Sequence, residues 1–312
     1  MSFDVIAMGR VGVDIYPLQV GVRLPEVETF GKFLGGSAAN VAVAAARHGR
    51  SVALISRTGA DPFGEYVHRQ LRGYNVDDRW VSEIVGPPTP VTFCEILPPN
   101  DFPLYFYRHP TTPDLQIAAH DLDLAEIAAA GVFWSTGTGL CTQPSRDAQL
   151  AALRHRARTG ITVLDLDYRP MFWPSREHAR EAIKQALPYA TIAVGNLDEC
   201  LTAVGVTDPD GAADALLAHG VDLAVVKQGS KGVLARTPTQ RVEVAPLPVT
   251  VVNGLGAGDS FGGALCHGLL SGWPLERTIR FANAAGAIVA RQLACAPAMP
   301  TTDEVERTLE AG

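Results

Sequence analysis

The sequence lacks the features that would commit it to a membrane, a nucleic acid or an oxidising compartment. No uncharged apolar run approaches the roughly 18 residues of a membrane helix, and the opening MSFDVIAMGRVGVD is already interrupted by Asp4 and Arg10. That opening is also a poor match to a secretory leader. No long basic tract exists: 26 lysines and arginines face 33 acidic residues, a net charge of -7, so polyanions are weakly repelled and no nucleic-acid partner is expected. Only five cysteines occur, an odd number with no CxxC pair, each in or beside apolar sequence. They read as buried thiols in a reducing compartment, and the expectation is a soluble cytoplasmic protein. Two nucleotide fingerprints are missing as well. No GxGxxG follows the first apolar strand and no Gly-Lys-Ser/Thr closes a glycine loop, which argues against a dinucleotide fold and a P-loop.

What is present is a chain of 312 residues, 47% hydrophobic, with 30 glycines. Helix and strand signals alternate along most of it. Strands are expected at 3–9, 51–56, 132–134, 162–166, 191–195 and 221–227, with a hairpin over 233–244. Helices are expected at 37–48, 61–73, 145–159, 176–187, 209–219, 259–270, 275–292 and 302–310. Such alternation builds a mainly parallel sheet covered on both faces by helices, a three-layer α/β/α architecture. Two segments break the pattern. Residues 11–34 and 87–110 are rich in β-branched and aromatic residues punctuated by proline, with Pro98-Pro99-Asn100-Asp101 as a turn. They are expected to pair into a small β lid on a single domain spanning 1–312. Open edges on such a lid invite pairing, so a homodimer through it is a further expectation.

Two glycine clusters carry the chemistry. The first candidate is Asn253-Gly254-Leu255-Gly256-Ala257-Gly258-Asp259-Ser260, read as following a strand end at 248–252 and opening a helix. Small residues at Gly256, Ala257 and Gly258 let backbone N–H groups converge on an anion at the positive end of that helix. Asp259 has two readings: an ordinary first-turn acid, or a base facing a hydroxyl that attacks a phosphorus held by the loop. The second cluster is Gly35-Gly36-Ser37-Ala38-Ala39-Asn40, again joining an extended segment to a helix. Its glycines allow close ligand approach or close packing, and Asn40 is a ligand contact or a helix cap.

Together, GGSAANVAVAAARHG and LGAGDSFGGAL resemble the two signatures of the ribokinase-like (PfkB) carbohydrate kinase family, and the similarity extends over nearly the whole chain. The resemblance implies the ribokinase-like fold, ATP as phosphoryl donor and Mg2+ as cofactor. It implies Asp259 as the base, Gly256, Ala257 and Gly258 around the transferring phosphate, and Asp14, Gly35, Gly36 and Asn40 on sugar hydroxyls. Asn196 begins an Asn-x-x-Glu motif whose Glu199 would hold magnesium through water. Lys227, Gly229 and Gly232 lie on the nucleotide side, and Asn283 near the base. Asn253-Gly254 stands where the family usually has aspartate, commonly followed by threonine, which weakens any inference of a potassium ion.

One branch of the family is similar through GRVGVDIYP, TPVTFCEILPPNDFPLYFYRHP and DLDYRPMFWP. Its members phosphorylate the terminal 6-hydroxyl of an acidic keto-deoxy sugar in myo-inositol catabolism. A sugar-acid substrate calls for guanidinium recognition. Arg108 and Arg169 are the candidates, each alternatively paired with Asp165 or Asp167. At most one of Tyr107 and its neighbour Phe106 lines the sugar, because they point to opposite faces of a strand; Tyr107 is the candidate, and lid packing is the alternative for both. Competing readings are a kinase for 2-keto-3-deoxygluconate, fructose or ribose, and a sugar-binding protein without catalysis on the same scaffold.

Overall fold

The computed structural model describes residues 2–108 and 111–311. His109 and Pro110, at the end of the second expected lid segment, lie outside them, as do Met1 and Gly312. In chain order the strands are β1 (Val5–Met8), β2 (Gly12–Pro17), β3 (Phe30–Gly35), β4 (Val52–Gly59), β5 (Val76–Ile84), β6 (Val91–Cys94), β7 (Leu104–Tyr107), β8 (Val132–Thr136), β9 (Ile161–Asp165), β10 (Ile192–Asn196), β11 (Leu223–Lys227), β12 (Val233–Arg236) and β13 (Arg241–Val244). The helices are α1 (Ser37–Arg47), α2 (Pro62–Gly73), α3 (Leu124–Ala129), α4 (Ser145–Arg156), α5 (Arg176–Ala186), α6 (Leu197–Val204), α7 (Pro209–Ala218), α8 (Ala257–Leu270), α9 (Leu275–Ala290) and α10 (Thr302–Ala311).

Nine strands form the main sheet in the order β13-β12-β11-β10-β9-β8-β1-β4-β5. Every pair from β11 to β5 is parallel, and only β11–β12 and β12–β13 are antiparallel. Alternation along β1 shows how the layers divide. Val5 and Ala7 join one apolar cluster with α1, α2, α8, α9 and α10, whereas Ile6 and Met8 join the other with α3 to α7. This is the expected three-layer α/β/α fold. Strands buried on both faces need no polar alternation, which is why β1 and the runs 132–134 of β8 and 223–226 of β11 are continuously apolar.

β2, β3, β6 and β7 form a separate four-stranded sheet in the order β3-β2-β6-β7. Asp14, Thr92 and Phe106 are register partners across it, so they share a face. Tyr105 and Tyr107 point the other way, 38% and 66% exposed.

Two expectations about strands need correction, and α3 and α6 are helices the sequence reading did not place. Residues 248–252 form no strand; after β13 the chain leaves the sheet, because Pro246 and Pro248 have no N–H for a ladder. It runs instead along α9, with the Val252 and Asn253 N–H groups donating to the Ala290 carbonyl at 2.9 and 3.2 Å. The glycine loop therefore enters α8 from an extended segment outside the sheet. The second correction is an addition. β5, with Asp77, Asp78 and Arg79, gives little strand signal, but it is the terminal strand of the sheet, where charge is tolerated and protects an open edge.

Candidate active site

The carboxyl ends of β1, β8, β9, β10 and β11 deliver Arg10, Thr138, Asp165, Asp167, Arg169, Asn196 and Lys227 to one edge of the sheet. This is the edge where open α/β sheets hold ligands. The amino ends of α1 and α8 meet there. Asn40, in the first turn of α1, donates from Nδ2 to Asp259 Oδ2 at 2.9 Å, so the two glycine clusters, 219 residues apart, are joined by one hydrogen bond. Asn40 is buried, and its Oδ1 has no partner among the described residues.

Gly256 caps α8 at φ +80°, a left-handed conformation that glycine adopts without strain. A Cβ there would sit 2.6 Å from Cys295 Sγ. Ala257, Gly258 and Asp259 then occupy the first helical turn, where backbone N–H groups have no intrahelical acceptor. The Lys227 ammonium lies 3.2 Å from where a Gly258 Cβ would be. A helix N-terminus with an adjacent ammonium is built to hold an anion.

Four carboxylates surround that lysine. Desolvation alone would lower the Lys227 pKa, but Asp165, Glu199, Asp259 and Asp167 outweigh it and raise it. Burial pushes Asp165 up to about 8, with Lys227 opposing and the neighbouring carboxylates adding to the rise. Burial also raises Asp259, against the Asn40 hydrogen bond and the charges of Arg10 and Lys227. A raised carboxyl is a stronger base when ionised, which suits proton acceptance. Asp167 behaves oppositely. Burial would raise it, but Arg169, Arg10 and the Ser37 and Thr138 hydroxyls together hold it below the ordinary carboxylate range. Its backbone is strained, a non-glycine residue at φ +27°.

On the Gly35–Gly36 side, Asp14 is buried and accepts from Tyr16 at 2.8 Å. Burial raises its carboxyl to about 6, with Tyr16 opposing. Gly35 is obligatory beside it, since a Cβ would lie 2.1 Å from Asp14 Oδ1. Gly36, at φ +99°, packs against the Arg10 backbone. Arg10 was not singled out as a site residue from the sequence. Its guanidinium donates to Thr138, Ser37 and Asp167 at 3.0–3.2 Å and lies over the Phe106 and Phe172 rings. A lone arginine after a glycine gives no local signal; only the assembled sheet reveals its neighbours.

The other expected substrate residues divide. Arg108 is buried and paired with Asp114 at 2.8 Å, not with Asp165 or Asp167, and stacks over Phe172. Arg169 is bound to Asp167 at 3.1 Å and lies 3.6 Å from Glu199, leaving a buried Nε without a partner among the described residues. The expectation for Tyr107 is corrected: it faces away from Asp14 and is exposed, and the β6–β7 register makes Phe106 the inward aromatic, packed on Phe172 at 4.9 Å.

On the far side, Asn196 and Glu199 form a reciprocal cap on α6: the Glu199 N–H donates to Asn196 Oδ1 at 2.9 Å and the Asn196 N–H to Glu199 Oε2 at 2.7 Å. No group of three His, Cys, Asp or Glu forms a metal cage among the described residues. A capped Glu199 beside other acids fits magnesium held through its water shell rather than by direct ligation. Gly229 and Gly232 take left-handed backbone angles in the turn after β11, and a Gly232 Cβ would lie 2.0 Å from the Val244 carbonyl. Asn283 is partly exposed and donates to the Ala245 carbonyl at 2.9 Å. Buried Asn253 donates to the Leu293 carbonyl at 2.7 Å and accepts from the Leu255 N–H at 3.0 Å. An ionised aspartate has no hydrogen for the first of these bonds.

A helix-end anion cradle with Asp259 at its mouth, at the ligand edge of a parallel sheet, has the parts that phosphoryl transfer needs. Residues 2–302 match the pfkB family of carbohydrate kinases, and the chain belongs to that family. Among its relatives is the 5-dehydro-2-deoxygluconokinase of Geobacillus thermodenitrificans, 32% identical over 98% of this chain and 93% of the relative. The Photobacterium profundum 5-dehydro-2-deoxygluconokinase is 35% identical over 96% and 92%. An Escherichia coli protein solved in complex with ATP and Mg2+ has the same fold, with TM-score 0.90 at 23% identity over 99% of this chain and 100% of that one.

Proposed function

We propose that this kinase transfers the terminal phosphoryl group of ATP to the 6-hydroxyl of 5-dehydro-2-deoxy-D-gluconate, giving the 6-phosphate and ADP. The observation that carries the reading is the Asn40–Asp259 hydrogen bond, which sets a base and the free N–H groups of α8 beside the Gly35–Gly36 turn. The acceptor follows the two deoxygluconokinase relatives. On this reading the reaction belongs to myo-inositol catabolism in the cytoplasm.

Asp14, Gly35, Gly36 and Asn40 bind the acceptor's hydroxyls, and Arg108 and Arg169 are the candidates for its carboxylate. Asp259 accepts the hydroxyl proton as the new O–P bond forms and the bond to the ADP oxygen breaks. The N–H groups of Ala257 and Gly258, with Lys227, take up charge on the transferring phosphoryl. Asn196, Lys227, Gly229, Gly232 and Asn283 border the nucleotide. Glu199 would hold Mg2+ through the ion's water shell, and the ion would supply neutralisation of the phosphate charge. The four-stranded sheet acts as a lid that excludes water, and its exposed outer face, with Phe30, Tyr105 and Tyr107, is the surface for a second copy.

The test is ATP-dependent phosphorylation of 5-dehydro-2-deoxygluconate against 2-keto-3-deoxygluconate, fructose and ribose. The first should be preferred, and Asp259→Asn should bind nucleotide while losing roughly 100-fold or more in kcat. Wild-type turnover in that variant removes the base assignment. A preference for a neutral sugar removes the acceptor assignment.

A further inference from the structure

The hydroxyl of Tyr16 stands between the two halves of the site. It donates to Asp14 Oδ2 at 2.8 Å and lies 3.1 Å from Cys295 Sγ. A hydroxyl has one hydrogen; with that given to an ionised Asp14, the second contact needs the thiol as donor. Burial raises the Cys295 thiol well above its ordinary value, so it keeps the required hydrogen. Cys295 in turn packs on the cap of α8, its Sγ and Cβ filling the space where a Gly256 Cβ would be, at 2.6 and 2.7 Å. A continuous line of contacts therefore runs from Gly256 through Cys295 and Tyr16 to Asp14, which itself lies across Gly35. All five residues except the two glycines have side chains locked by these contacts, and Tyr16 is 2% exposed, with its ring also against Phe33 at 5.7 Å.

We propose that Tyr16 is a positioning residue: its single hydroxyl fixes the spacing between the acceptor-side carboxylate of Asp14 and the glycine that opens the anion loop. Tyr16 belongs to β2 of the four-stranded sheet, whereas Gly256 and Cys295 belong to the main body. The contact thus registers that sheet against the loop where phosphoryl transfer occurs. Holding both partners at one distance matters because displacement of a reacting group by about 1 Å can cost on the order of 100-fold in rate. The inference rests on the proposed role of Asp14 in acceptor binding.

The test compares Tyr16→Phe, Asp14→Asn, Cys295→Ala and Cys295→Ser. Tyr16→Phe keeps the ring packing and removes one hydrogen bond to a charged group. It should raise the acceptor KM roughly tenfold or more, leave the ATP KM at the wild-type value and lower kcat. Cys295→Ala should lower kcat, while Cys295→Ser, which retains a donor, should retain more of it. A carboxyl-carbon NMR titration of Asp14, assigned by its loss in Asp14→Asn, requires no turnover. Its midpoint, expected at about 6 in the native protein because burial raises it, should move upward in Tyr16→Phe. The groups facing that carboxyl in the comparison are Arg10, Asp259, Tyr66, Cys94 and Cys295. An unchanged titration in Tyr16→Phe overturns the proposal even if no acceptor is turned over. Equal rises in the acceptor and ATP KM values also overturn it, since they indicate general loosening. If Asp14→Asn leaves the acceptor KM unchanged, the acceptor role of Asp14 fails instead.

Discussion

Gly35 shows how one absent side chain defines a functional position. Asp14 Oδ1 would be 2.1 Å from a Cβ at residue 35, so any larger residue must displace the carboxylate. Gly35→Ala is expected to raise the acceptor KM at least tenfold with the ATP KM preserved, read from steady-state kinetics with each substrate varied. The glycine was legible in the sequence because a pair of glycines ahead of an alanine-rich helix is a strong local pattern. Its reason was not, because Asp14 arrives from 21 residues away through β2–β3 pairing. The same limit applies to arginines. The sequence offers Arg108 and Arg169 as equals, but their partners, Asp114 for one and Asp167 with Glu199 for the other, depend on how loops cross the sheet edge. Tyr107 and Phe106 were correctly placed on opposite faces; which face looks inward was decided by the β6–β7 register.

Among the elements, α4 ends in an arginine that does the work of a staple. Arg156 is fully buried and donates to the Ile127, Ala128, Gly131 and Ile161 carbonyls and to the Thr162 hydroxyl. It ties α3 and the start of β8 to β9, strands that carry site residues at their other ends. Arg156→Met would leave several buried acceptors unpaired and should cost about 3 kcal/mol or more, measured by urea unfolding. The sequence signals the helix but not the staple, for Arg156 sits in an ordinary polar stretch, RHRARTG. Elements with a strong repeating pattern, such as α1 and the inner strands, emerge directly from the apolar periodicity. β5 and the segment 248–252 did not. One is a strand despite its charges, the other an extended run that never enters the sheet.

For the whole molecule, the layer of α1, α8 and α9 contains a histidine pair, His48 buried and His267 half-buried. His48 stacks near His267 and Phe281 at 5.2 Å. Burial lowers His48 to about 3 and His267 to about 4, with neighbouring positive groups adding to both. A histidine depressed in the folded state stabilises the fold above its unfolded value near 6.5 and withdraws that stability as pH falls toward the folded value. Unfolding free energy should therefore decline from pH 6.5 toward pH 4, with His48 contributing up to about 1.4 kcal/mol per pH unit. Denaturant titrations across that range should show a shallower pH slope in His48→Gln; an identical slope would exclude His48 as the cause.

The sequence by itself determined the layered fold, the two glycine clusters and the acid that opens α8, because each is written in contiguous residues obeying local rules of period, turn and cap. Tertiary structure alone decided which charges neutralise one another, which aromatic turns inward, and that Asn40 holds Asp259 while Tyr16 joins Asp14 to Cys295. The Asn40–Asp259 and Tyr16–Cys295 contacts span 219 and 279 residues of chain. They depend on distances fixed only when strands align and helices pack, and no local periodicity encodes such a distance.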